Sequence, residues 1–148
     1  MILGPDFSEF VALCERHEVR YLIVGGFAVG VHGHIRYTKD LDIWVEPENS
    51  NVSDLLRVLD EFGFGSLDLS ADDFLIPGNV VQLGYPPNRL DLLTQPTGVE
   101  FTTCWANRLR IDLGTVTANV MGLDDLVANK RASGRRRDLA DIEDLGRA

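Results

Sequence analysis

Long apolar runs are missing from these 148 residues. No stretch approaches the ~20 apolar residues a bilayer span requires, so the sequence excludes a transmembrane helix. The opening Met1-Ile2-Leu3-Gly4-Pro5-Asp6 lacks the basic start and apolar core of a secretory signal, and none is expected. Cysteine is scarce. Cys14 and Cys104 make no disulfide framework and have no ligand partner at metal spacing, so both read as small buried hydrophobes in a reducing cytoplasm. Basic charge is also short: 14 Lys and Arg against 23 Asp and Glu leave a net charge of −9, which disfavours a broad surface gripping nucleic acid by charge. Five of those 14 basic residues (Lys130, Arg131, Arg135, Arg136 and Arg137) crowd into positions 130–137, so the rest of the chain is more acidic still. Repeats, low-complexity tracts and Gly/Ser linkers are lacking, and one domain over 1–148 is expected.

What is present is ordinary for a folded chain, 45% apolar and 25% charged. Asp6 with Glu9 has capping-box spacing, and Phe7, Phe10, Val11 and Cys14 share one helical face. Tyr21–Val24 is a short apolar strand closed by Gly25-Gly26, after which Phe27–His32 reads as a short helix ended by Gly33. Asp40–Val45 alternates polar with apolar as a second strand. Val52, Leu55, Leu56, Leu59 and Phe62 recur at helical spacing before Gly63. Strands at 80–83 and 90–93 flank a Pro86-Pro87-Asn88 turn, and a helix follows over 101–108. A hairpin over 109–121 centres on Gly114, and helices at 123–132 and 136–146 are split by Ser133-Gly134. This order specifies an α+β fold, a mixed sheet covered by helices.

Three features carry chemistry. Glycines at 25 and 26, between a strand and a helix, let the backbone approach a ligand and offer free N–H groups to an anion; a tight turn is the plainer reading. Residues two apart on a strand point the same way, so Asp40 and Asp42 project together while Leu41 and Ile43 enter the core. Paired carboxylates repel unless a proton or cation intervenes, and a hard divalent ion such as magnesium resolves the conflict; a solvent-facing strand edge is the alternative. Asp91 lies on a later strand as either an exposed alternating position or a third carboxylate completing a two-metal site, with metals ~3.5–4 Å apart.

A strand, a glycine pair, a short helix, an Asp-x-Asp strand and a later acidic strand together resemble the nucleotidyltransferase superfamily that shares the DNA polymerase β catalytic core. Residues 27–39, thirteen positions, separate the glycine pair from Asp40, in keeping with that pattern. The resemblance implies that Gly25 and Gly26 cradle nucleotide phosphates. It makes Asp40 and Asp42 metal ligands, and Asp91 the third ligand or general base. Phe27-Ala28-Val29 through Arg36-Tyr37-Thr38-Lys39-Asp40, and the ending Asn129 to Ile142, resemble small stand-alone prokaryotic members, some of them toxins or antitoxins. Gly26 stands where well-known members carry serine, which leaves backbone N–H groups to hold phosphate. Arg36 and Lys39 are placed to neutralise triphosphate charge and Thr38 to add a hydroxyl, against the alternative of a solvated loop. Lys130, with Asp138 or Asp141, matches a functional lysine–aspartate pair of related toxins; an ion pair across the last two helices is the competing reading.

The expected activity is metal-dependent transfer of a nucleoside monophosphate from a nucleoside triphosphate to an acceptor hydroxyl on tRNA, protein or a small molecule. Two Mg2+ ions, with Mn2+ as a substitute, are the expected cofactors. The alternative is a non-catalytic nucleotide-binding or regulatory module, such as one component of a toxin–antitoxin pair. A homodimer or a cognate toxin or antitoxin is the expected protein partner.

Overall fold

The structure, a computed structural model, describes residues 3–33 and 40–147. Helix α1 runs over Pro5–Arg16 and buries Phe10, Val11, Leu13 and Cys14. It begins one residue before the expected capping box: Gly4 is the N-cap and no side chain caps it. Proline suits the first helical position, where its missing N–H costs nothing, so Pro5 sets the start and Asp6 falls in the first turn. Strand β1 (Tyr21–Val24) is buried throughout and leads directly into α2 (Gly25–Val31), so the helix starts at the glycine pair rather than at Phe27.

Strand β2 (Asp40–Val45) buries Leu41, Ile43, Trp44 and Val45 completely while Asp40 and Asp42 stay partly open. Glu48 caps α3 (Asn49–Leu59) by accepting from the N–H groups of Ser50 and Asn51. The expected helix through Phe62 ends early: Asp60–Phe64 widens into a π turn, with Gly63 at φ 106°. A short helix α4 (Asp72–Leu75), unforeseen in the sequence, buries Phe74. Strands β3 (Val80–Leu83) and β4 (Arg89–Leu93) follow, then α5 (Phe101–Ala106). The hairpin forms as β5 (Leu109–Asp112) and β6 (Thr117–Val120). Helices α6 (Leu123–Ser133) and α7 (Arg136–Asp144) close the chain, and Gly134 turns between them at φ 63°.

The six strands form one mixed sheet in the order β3-β4-β2-β1-β6-β5. Neighbours β1 and β2 are antiparallel, whereas β2 and β4 are parallel, as are β1 and β6. A single apolar core joins the strands to α1, α2 and α3. Trp44 lies within it, edge-on to Phe101 at 5.0 Å, and its indole N–H donates to the Thr94 carbonyl at 3.1 Å. Both cysteines are buried and unpaired. Among the described residues no helix is long and apolar enough to cross a membrane.

Candidate active site

Register assembles the site. Val24, the last residue of β1, pairs with Asp42 on β2, and Asp42 pairs in turn with Asp91 on β4. Paired residues of adjacent strands share a face, so the β2–β4 register brings together carboxylates 49 positions apart in the chain. Asp40, Asp42 and Asp91 each present an oxygen, and these oxygens lie within 4.8 Å of one another.

Gly25 completes the corner. Its φ of +67° is costly for any residue with a side chain, and an added Cβ would reach the Asp42 Cγ at 2.9 Å and overlap Oδ2. Glycine is thus required both by the turn into α2 and by the carboxylate packed against it.

Burial and like charge govern the acids. Loss of water, followed by the charges of Asp40 and Asp91 and a hydrogen bond with Asp91, pushes the Asp42 carboxyl up to about 7; Lys130 pulls it partly back. Asp91 is buried. The counter-charge comes from Arg89, a residue the sequence reading did not single out. Its Nη2 donates to Asp40 Oδ2 at 2.6 Å and to Asp91 Oδ2 at 3.2 Å, while Nε lies 3.0 Å from Asp91 Oδ1. Arg89 opposes Asp40 across the β2–β4 ladder, so that contact follows from register, while Asp91, two residues on along β4, shares its face.

The acids floor a cleft of about 1040 Å³, which Gly25 and Gly26 also line. Its other wall includes Asn129, Lys130, Ser133, Arg135 and Arg137 from the α6–α7 corner. Lys130 reaches the cleft, yet its Nζ is largely consumed, lying 2.8 Å from Asp141 Oδ2 and 3.5 Å from Asp138 Oδ1. The ion pair anticipated across the last two helices therefore forms with both aspartates. Burial alone would raise the Asp138 carboxyl, but the Arg135 hydrogen bond and the Lys130 charge outweigh it and hold the group below its ordinary value. Arg36, Thr38 and Lys39 lie outside the described residues.

The donor set fits a hard divalent cation. Three carboxylates converge on one face, one of them is pushed towards protonation by burial and then by the other two, and Gly25 adds no side chain to the corner.

Solved structures share this architecture. The crystal structure of an antigenic nucleotidyltransferase-like protein from Paracoccidioides brasiliensis aligns with a TM-score of 0.57 at 17% identity, covering 96% of this chain and 73% of that one. The fold is accordingly that of the nucleotidyltransferases. The sequence places it more narrowly: the chain belongs to the family described as "Nucleotidyltransferase of unknown function (DUF6036)", which matches residues 7–146. No curated protein sequence matches it.

Proposed function

We propose that this chain transfers a nucleoside monophosphate from a nucleoside triphosphate to an acceptor hydroxyl at the cleft beside Gly25. The observation that carries this reading is the convergence of Asp40, Asp42 and Asp91 within 4.8 Å, on the side of the glycine-opened helix. These three carboxylates would hold Mg2+ or Mn2+, which when bound acidifies the attacking hydroxyl and screens the triphosphate. Gly25 and Gly26 leave the backbone open to the phosphates, and Arg135, which also pairs with Asp138, and Arg137 line the same cleft. Asp91 takes the proton of the acceptor hydroxyl. That oxygen bonds to the α-phosphorus, the bond from it to the bridging oxygen breaks, and pyrophosphate leaves. Acceptors to be tried are tRNA, protein and small hydroxyl compounds.

The test is incubation with α-labelled ATP, CTP, GTP and UTP, magnesium and each acceptor class. Label should move to one of them, and Asp42→Asn should cut transfer more than ~100-fold, since residues merely supporting metal ligands already cost ~10–100-fold. Failure of the wild-type chain to label any acceptor would end the reading.

A second reading rests on Arg89. A site whose carboxylates already carry an internal cation also suits a module that binds nucleotide without turnover, including one component of a toxin–antitoxin pair. Calorimetry separates the two: nucleotide that binds with magnesium and is recovered intact supports the module.

A further inference from the structure

Arg89 and a divalent cation compete for the same atoms. The guanidinium engages Asp40 Oδ2 at 2.6 Å and both oxygens of Asp91, at 3.0 and 3.2 Å. A metal shared by Asp40, Asp42 and Asp91 needs oxygens from that set, and two cations repel at such range. Asp42 alone among the three has no contact with Arg89 among those described, so the guanidinium holds two of the three acids and leaves the third without its counter-charge. The Arg89 side chain is 30% exposed and lines the cleft, so it can leave the carboxylates without unpacking the core.

We infer that Arg89 is an exchangeable counter-ion: it closes the carboxylate site in the metal-free chain and is displaced into the cleft when a divalent cation binds. The inference rests on the metal site of the proposed function. Charge supports exchange over permanent occupancy. One guanidinium balances a single charge among three carboxylates, and a divalent ion balances two. The released guanidinium keeps its fork of donors, suited to a phosphate in the same cleft. Arg89 is thus a positioning residue for the acids in one state and a phosphate-facing cation in the other.

The decisive measurement is Mn2+ binding to the intact chain, without nucleotide, followed by calorimetry and by the paramagnetic resonance of free Mn2+. Arg89→Gln should bind Mn2+ at least tenfold more tightly than wild type. Arg89→Lys, which keeps a charge but loses the fork, should fall between them and serves if the glutamine variant does not fold. A residue that only braced the strands would behave oppositely, because its removal would loosen the ligands and weaken binding. Unchanged or weaker Mn2+ binding in both variants, with binding abolished by Asp42→Asn, overturns the exchange and leaves the metal site standing. No Mn2+ binding to wild type or either Arg89 variant overturns both.

Discussion

Most of the water around the Asp42 carboxyl is excluded, and that burial, followed by the like charges of Asp40 and Asp91, makes it a proton-binding group near neutrality. The sign of the effect on stability follows. Its ordinary value is 3.8 and its folded value about 7, so between those limits the folded chain binds a proton that the unfolded chain does not. The stability this group contributes is present below about pH 4 and is lost as pH rises towards and through 7. Asparagine at position 42 removes both the titration and the repulsion. In urea denaturation with chelator present, wild type should lose stability relative to Asp42→Asn as pH rises from about 4 to 7, with the change levelling off above that. A parallel pH dependence in the two proteins would mean that Asp42 is not the group under strain.

At the scale of elements, the α6–α7 pair is joined by charge buried between the helices. Lys130 projects from α6 towards Asp138 and Asp141 on α7, and all three side chains are almost wholly buried. Removing one partner of a buried pair typically costs ~3–5 kcal/mol, because the opposite charge stays in low dielectric. Lys130→Met should therefore lower the unfolding free energy read from chemical denaturation by an amount in that range, even without nucleotide. A loss of nucleotide affinity at unchanged stability would instead assign Lys130 to the ligand. The same pair shows what the sequence could reveal. Lysine followed at eight and eleven positions by aspartate, across a Ser-Gly break, suggested a helix-to-helix ion pair, because those separations are local. The β2 alternation was equally legible: Leu41 and Ile43 needed burial, so Asp40 and Asp42 had to share the other face. Arg89 was not legible. An arginine opening a strand has no signature of its own, and its partner Asp40 is fixed only once β2 and β4 adopt their parallel register. Helix α4 escaped because four residues are too few to show a period. The Asp6–Glu9 pattern misled because the capping spacing also occurs within a helix already started by Pro5.

Across the whole molecule, the site draws on segments that fold into different parts of the sheet. The end of β1, the start of β2 and the middle of β4 meet only because β2 lies between β1 and β4. A cation held there would bind the assembled sheet and not the unfolded chain, in which these carboxylates are dispersed, so binding would appear as global stability. At a free metal concentration ~100 times the dissociation constant the gain is ~2.7 kcal/mol. For a chain of this size each kcal/mol moves the thermal midpoint by ~2–4 °C, giving ~5–10 °C in all. Mn2+ should produce that rise in wild type and in Asp72→Asn, whose exposed carboxylate lies on α4, outside the cleft. Asp40→Asn and Asp42→Asn should lose most of it. With a net charge of −9, diffuse screening by a divalent salt would raise all four proteins alike, so the difference between variants, rather than the rise itself, separates a site from an atmosphere. An equal shift in every variant would dissolve the metal site, because the sheet would then be gaining from its charge as a whole and nothing from the meeting of β2 with β4.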